Sequence, residues 1–161
     1  MEHSTAFVKI VKENEGIIYK ITRAYTRDRE DQKDLYQEVV YQLWKSFTSF
    51  KGNAKLSTWI YRVALNTSLT YDKRNKRMTP NVNIDLELLN HVDEHDPVME
   101  ERVNVLYAHI KELNAIDKGL ILLFLEGKSY DEIALITGFT TTNVGTRLGR
   151  IKLKLKNNIK S

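Results

Sequence analysis

The sequence predicts an all-α protein: two small helical domains, residues 1–78 and 98–161, joined by an acidic linker over residues 79–97. The second domain reads as a helix-turn-helix. Three observations predict this. Pro and Gly are scarce, 2 and 7 of 161 residues, so long stretches are free to be helical. Apolar residues recur at three- and four-residue steps rather than alternating. Charge is segmented: net +6 over residues 1–80, −7 over residues 81–101, where no Lys or Arg occurs, and +5 over residues 102–161. A stretch of mutually repelling acids between two basic blocks fits an extended connector.

Composition excludes several classes. With 42% hydrophobic residues the chain can bury a core, and with 29% charged residues it can be soluble. There is no Cys, so disulfide and thiolate chemistry are absent, and a cytoplasmic location is expected. No signal peptide and no apolar run of bilayer length is present, so no membrane insertion is expected. The pI near 9.2 leans mildly towards an acidic partner. No nucleophile–base pair, phosphate-cradling glycine loop or metal cluster occurs, so no enzyme, cofactor or metal site is expected. His91 and His95 are four apart, but Pro97 is close behind and a third ligand is missing.

In chain order, Phe7, Val8, Ile10, Val11, Ile17, Ile18, Ile21 and Tyr25 predict one helix or two short ones, with Gly16 weakening the middle. Residues 31–47 predict a strong amphipathic helix, with Leu35, Val39, Leu43 and Phe47 on one stripe. Asp31, Asp34 and Glu38 fall beside that stripe. Acids in the first turn suit the positive helix start without any partner. Glu38, a turn further in, is not explained that way, and an acidic strip beside apolar residues fits docking onto a basic protein surface.

A loop, residues 50–56, then leads into a helix with Ser57 or Thr58 as its cap. Trp59, Ile60, Val63, Ala64 and Thr67 form its apolar face, and Arg62 and Asn66 share another side. The helix ends in the basic cluster Lys73, Arg74, Lys76 and Arg77. Rings offer a stacking face to an unpaired base and cations track its phosphates. An amphipathic core helix with a solvated basic end would show the same spacing. Asn66 is either a tolerated surface residue or a group that hydrogen-bonds a base edge.

The third block predicts three or four helices. Val103, Leu106, Tyr107 and Ile110 mark the first. Asn114 with Asp117 caps the second, whose apolar run is Leu120 to Leu125, and Gly127 ends it. Ser129 and Glu132 form a capping box for a short helix ending at Gly138. A last helix runs from Thr142 to about Lys160 and carries Arg147, Arg150, Lys152, Lys154, Lys156 and Lys160. No acid follows Glu132. Helix, glycine turn and basic helix make a DNA-binding pattern.

The order Asp34-Leu35-Tyr36-Gln37-Glu38-Val39, Phe50-Lys51-Gly52, Ser57-Thr58-Trp59-Ile60-Tyr61-Arg62-Val63-Ala64-Leu65-Asn66, Ser129-Tyr130-Asp131-Glu132-Ile133-Ala134 and Val144-Gly145-Thr146-Arg147-Leu148-Gly149-Arg150 resembles the extracytoplasmic-function group of bacterial RNA polymerase sigma factors. The resemblance covers nearly the whole chain. It implies two helical domains, the family's regions two and four, and a transcription initiation factor that directs core polymerase to promoters and assists their melting. It implies that Asp31, Asp34, Leu35, Gln37 and Glu38 grip the clamp helices of the largest polymerase subunit, with the flap region as a further contact. Phe50 and Asn66 would hold a flipped base of the minus-ten element, and Lys51, Lys55, Arg62, Lys73, Arg74, Lys76 and Arg77 would hold phosphates. Thr141, Thr142, Asn143, Thr146, Arg147, Arg150 and Lys154 would read the minus-thirty-five element. The acidic connector would thread towards the RNA exit channel. An anti-sigma factor is expected from the resemblance alone.

The chain departs from the family's pattern at several places. Leu56 stands where an aromatic is frequent, Leu65 where a basic residue is common, Gly145 where Lys is frequent and Asn114 where Pro is preferred. Gly149 is a second glycine in the last helix. The rival reading is a stand-alone helix-turn-helix regulator with an N-terminal sensing or dimerising domain. An acidic helix followed by a ring-and-cation loop argues against it, since a repressor needs no single-strand pocket.

Overall fold

The structure, a computed structural model, describes residues 2–50, 55–78 and 97–160, and these form eight helices and no strand. The N-terminal amphipathic stretch resolves into two short helices, α1 (Glu2–Glu13) and α2 (Glu15–Ala24). The break falls at Asn14, whose side-chain amide donates to the Ile10 carbonyl at 2.8 Å. Gly16 lies inside α2 and not at the break. The next helix, α3 (Arg29–Phe47), starts two residues earlier than the apolar stripe suggests. Asp28 is its cap and accepts from the Asp31 backbone N–H at 2.8 Å. Leu35, Val39 and Leu43 are fully buried, and burial of each such side chain contributes roughly 1.5–3 kcal/mol.

The longest helix, α4, spans Leu56–Met78 and runs about 34 Å at the usual rise. Its start corrects the expected cap. The Trp59 N–H bonds the Lys55 carbonyl at 3.1 Å, so Lys55 is the flanking residue and Ser57 and Thr58 sit inside the first turn. Trp59, Ile60, Tyr61, Ala64 and Leu65 are all buried. That is a wider apolar face than a single neighbour covers, and α4 indeed packs on α2 and α3 and also on helices of the C-terminal half.

That half comprises α5 (Pro97–Lys111), α6 (Ala115–Leu125), α7 (Tyr130–Thr137) and α8 (Thr141–Lys160). The expected local signals are in place. Asn114 accepts from the Asp117 N–H at 2.9 Å, and Ser129 and Glu132 form a reciprocal capping box. Gly127 and Gly138 take positive φ, 84° and 85°, a left-handed conformation that glycine enters without steric cost. Ile110, Leu120, Leu123, Ile133, Val144 and Leu148 form the core of this half. The connector, with His91 and His95, lies outside the described residues.

The two halves touch. Lys20 pairs with Glu126 at 2.7 Å, Arg23 donates to Asn104 at 2.6 Å, and the Tyr25 hydroxyl donates to the Ala115 carbonyl. Arg62 donates to the Leu135 carbonyl at 2.7 Å. Gly119 of α6 lies directly against Leu65 and Tyr25.

Candidate nucleic-acid and polymerase interfaces

The start of α4 is organised by rings. Phe50 stacks on Trp59, centroids 4.9 Å apart with planes 23° from parallel. Trp59 leans on Phe47, Phe47 on Phe7, and Phe7 meets Trp44 edge-on at 5.0 Å. Such contacts add about 0.5–1.5 kcal/mol each beyond burial. Trp59 is buried and Phe50 half-buried, so Phe50 has one face engaged and its ring plane fixed. Tyr61 is buried, with its hydroxyl pushed well above the ordinary value by burial and by Glu126. It therefore offers no stacking face, contrary to a simple reading of interleaved rings.

The cations divide into three groups. Lys55, Lys73 and Arg74 are exposed. Arg62 is exposed along its length, but its guanidinium is engaged by Leu135. Lys51 and the side chains of Lys76 and Arg77 lie outside the described residues. Asn66 is exposed beside Arg62 and lines a cavity of about 130 Å³ shared with Tyr25, Leu69, Ile116, Thr137 and Phe139.

At the other DNA-facing candidate, the Thr140 hydroxyl accepts from the Asn143 N–H at 3.1 Å and caps α8. Thr141 donates to Asp131 at 3.0 Å, pinning the start of α8 to α7. Thr142, Thr146, Arg150 and Lys154 are exposed, and Asn143 is half-buried. Arg147 is held three ways: its Nε donates to Asn143 at 3.1 Å, its guanidinium lies 4.9 Å above the Phe139 ring, and Asp117 is 3.7 Å away. Lys152, one of the cations of the last helix, lies 3.9 Å over the Phe124 ring and donates to the Tyr130 hydroxyl at 3.1 Å. It braces α8 and is not part of an outward basic surface.

On α3, Asp34 and Gln37 are exposed, while Glu38 is half-buried and accepts from Gln42 at 3.2 Å. Asp31 is half-buried, and its carboxyl is held above the usual range by burial and then by Asp28 and Asp34. Leu35 is wholly buried, so its expected docking role is corrected: it sets the rotation of α3 from inside the core. Two residues that sequence reasoning passed over extend the strip. Tyr41 and Trp44 are 54% and 43% exposed, and both continue the three- and four-residue steps from Asp34, Gln37 and Glu38. That spacing was the signal that could have found them. Among the described residues no group of three or more His, Cys, Asp or Glu is placed to hold a metal, and no helix is long and apolar enough to cross a membrane.

The sigma-70 region 2 family matches residues 10–78 and the sigma-70 region 4 family residues 105–155. An ECF RNA polymerase sigma-E factor of Haemophilus influenzae is 29% identical over 154 residues, covering 87% of this chain and 82% of that protein. The RNA polymerase sigma factor SigV of Bacillus subtilis is 24% identical over 146 residues, covering 89% and 84%. Two solved structures share the fold. One is CnrH in complex with the cytosolic domain of CnrY, with TM-score 0.70, 18% identity, and 98% and 89% of the two chains covered. The other is the Bartonella quintana sigma factor RpoE in complex with the anti-sigma factor NepR, with TM-score 0.74, 16% identity, and 99% and 97% covered. With both sigma-70 regions present in order and relatives of this kind along most of its length, the chain belongs to the extracytoplasmic-function group of the sigma-70 family of RNA polymerase sigma factors.

Proposed function

We propose that the chain is a cytoplasmic, non-catalytic initiation factor whose labour is divided at the connector. Residues 1–78 dock on core RNA polymerase and capture the melted minus-ten element. Residues 98–161 read the minus-thirty-five duplex. Asp34, Gln37 and Glu38, with Tyr41 and Trp44, form the docking face for the basic clamp helices. A fringe of charges beside two exposed rings suits an interface with an aromatic centre. The outer face of Phe50 takes a flipped base, Asn66 selects it by its edge, and Lys55, Arg62, Lys73 and Arg74 hold the adjoining phosphates. Thr142, Thr146 and Arg150 point from the start of α8 to base edges, and Lys154 lies further along, against phosphate. An anti-sigma partner fits this reading, and the Bartonella quintana sigma factor RpoE is solved with one, NepR.

The observation that carries this reading is the ring stack at the start of α4, with cations along one helix and an acidic face on its neighbour. A duplex-binding regulator uses the first of these for nothing. The experiment is transcription with purified core polymerase on a library of promoter fragments. The expected result is initiation at a defined subset of sequences only when the protein is added. Core polymerase that starts no more selectively with the protein than without it would sink the proposal.

A further inference from the structure

Between α2 and α3 runs a groove that neither DNA nor the docking strip accounts for. It encloses about 550 Å³, within the range of small-molecule sites. Its walls follow from helix periodicity. On α3, Arg29, Lys33 and Tyr36 recur at steps of four and three, so they share one stripe. Tyr19 of α2 stands on the other side, 47% exposed. Gln32 ties the walls together, its amide donating to the Tyr19 carbonyl at 3.1 Å. That carbonyl can only accept, so the amide nitrogen faces it and the amide oxygen is the end left for another donor.

Helix chemistry does not account for the charges. Arg29 opens α3 at its positive end, where the dipole disfavours a cation. Among the described residues neither Arg29 nor Lys33 forms an ion pair or hydrogen bond. Glu30 lies three residues before Lys33 and lines the same groove, yet the two are not paired. Both cations are exposed. Tyr36 is half-buried, and burial, then Glu15, push its hydroxyl up from the ordinary value. It therefore stays protonated, as a donor. The groove thus brings together three kinds of group. Rings stack on a planar base. Neighbouring cations hold phosphate. A carboxylate accepts from the hydroxyls of a ribose. A simple anion would use the cations alone, and a simple aromatic compound the rings alone.

We propose that the α2–α3 groove binds a free ribonucleoside phosphate, with its base against Tyr19 and Tyr36, its phosphate on Arg29 and Lys33, and its ribose on Glu30. Gln37 also lines the groove and belongs to the docking strip, so a bound ligand covers part of that strip and competes with polymerase. The competition rests on the docking role of α3 proposed above; the binding does not.

The test uses the full chain, with AMP, GMP, CMP and UMP as probes. Equilibrium dialysis gives the Kd, and tyrosine-ring NMR locates the ligand among the 8 tyrosines. At least one monophosphate should bind and shift Tyr19 and Tyr36 before any other ring. Its nucleoside and its 2′-deoxy form should each bind roughly tenfold less well, the loss expected of one charge-assisted hydrogen bond. Arg29→Gln with Lys33→Gln should weaken the monophosphate roughly tenfold and leave the nucleoside unchanged. Tyr19→Ala should weaken both alike. Binding of none of the probes, or shifts confined to other tyrosines, overturns the site. A nucleoside bound as tightly as its phosphate, or a double variant that binds like the parent, overturns the phosphate assignment. A 2′-deoxy form bound equally well overturns the role of Glu30. Inorganic phosphate that displaces the probe at equal concentration reduces the groove to a general anion site. Saturating probe should also lower the parent's affinity for core polymerase roughly tenfold and leave that of the double variant unchanged. A parent that binds core equally with and without the probe overturns the competition. A parent that does not bind core at all overturns the docking reading instead, and the dialysis result stands apart from both.

Discussion

Phe50 and Asp34 are the residues on which the two proposed contacts turn: Asp34 is exposed, and Phe50 lies half-buried at the edge of the core, stacked on Trp59. Removing the Phe50 ring removes one ring–base stack, about 1–3 kcal/mol. Phe50→Ala should therefore lower open-complex yield on duplex promoters, and a template already unpaired across the minus-ten element should restore most of it, because the melting cost is gone. Permanganate footprinting on both templates measures this. Equal yields for parent and mutant on duplex DNA would return Phe50 to a packing role against Trp59. Asp34→Lys combined with Glu38→Lys should weaken core binding by about 2–5 kcal/mol, the usual cost of reversing close interfacial charges. Titration of a folded double mutant against core polymerase checks it, and an unchanged Kd refutes the docking face. Leu35 is excluded from that test because it is buried, and its loss would report on folding. Arg147, held by Asn143, Phe139 and Asp117, carries packing as well as charge, so its truncation would mix the two effects.

At the scale of the element, α8 contains two glycines with different surroundings. A Cβ at Gly149 meets nothing within 4 Å, while one at Gly145 reaches the Tyr130 ring at 3.4 Å. Gly149→Ala should thus add about 1 kcal/mol of stability through helix propensity. Gly138→Ala, at φ 85°, should cost about 1–2 kcal/mol for the left-handed backbone. Urea unfolding of both variants gives the comparison, and a destabilised Gly149→Ala would show that α8 needs that gap. Elements of this kind were legible in the sequence where their signals are local. The Ser129–Glu132 box, the Asn114 cap and the turns at Gly127 and Gly138 each depend on residues within one helical turn. The misplaced starts have a physical cause too. Asp28, Asp31 and Asp34 are all competent caps, and only the actual backbone turn selects Asp28. Ser57 and Thr58 look like caps, but the helix reaches back to Leu56. Lys152 reads as one cation among many until the helices bring Phe124 and Tyr130 beneath it.

For the whole molecule, the least legible feature was the contact between halves. Leu65 and Gly119 lie far apart in sequence, and no local period relates them. In the sequence Leu65 is only a departure from the family's pattern, and nothing near Gly119 marks it as a partner. The same contact region creates a titration signature. Lys111 is pushed down to about 8, first by burial and then by Arg23 and Lys118, with Asp28 opposing. Between about 8 and the ordinary lysine value of 10.5, the unfolded chain holds more protons than the folded one, so stability should rise with pH. Tyr107 acts with the opposite sign. Burial pushes it up to about 12, so above about pH 10 the unfolded chain loses the tyrosine proton first and stability falls. The expected profile is a rise from pH 8, turning over near pH 10. Thermal melts across that range measure it, and Lys111→Met should flatten the rising limb. A rising limb that persists in Lys111→Met would place its origin elsewhere.

The row of rings from Phe50 to Trp44 also has a spectroscopic meaning. The chain holds 2 Trp, and they stand apart in that row: Trp59 buried next to Phe50 at one end, Trp44 43% exposed at the other. Each proposed event therefore has its own native chromophore. In a Trp44→Phe protein, emission comes from Trp59 alone and should be quenched when a base joins the stack above Phe50. In a Trp59→Phe protein, Trp44 should shift to the blue as polymerase covers it. Docking and base capture can then be timed separately by stopped flow, each in its own single-tryptophan protein, with no label on the chain.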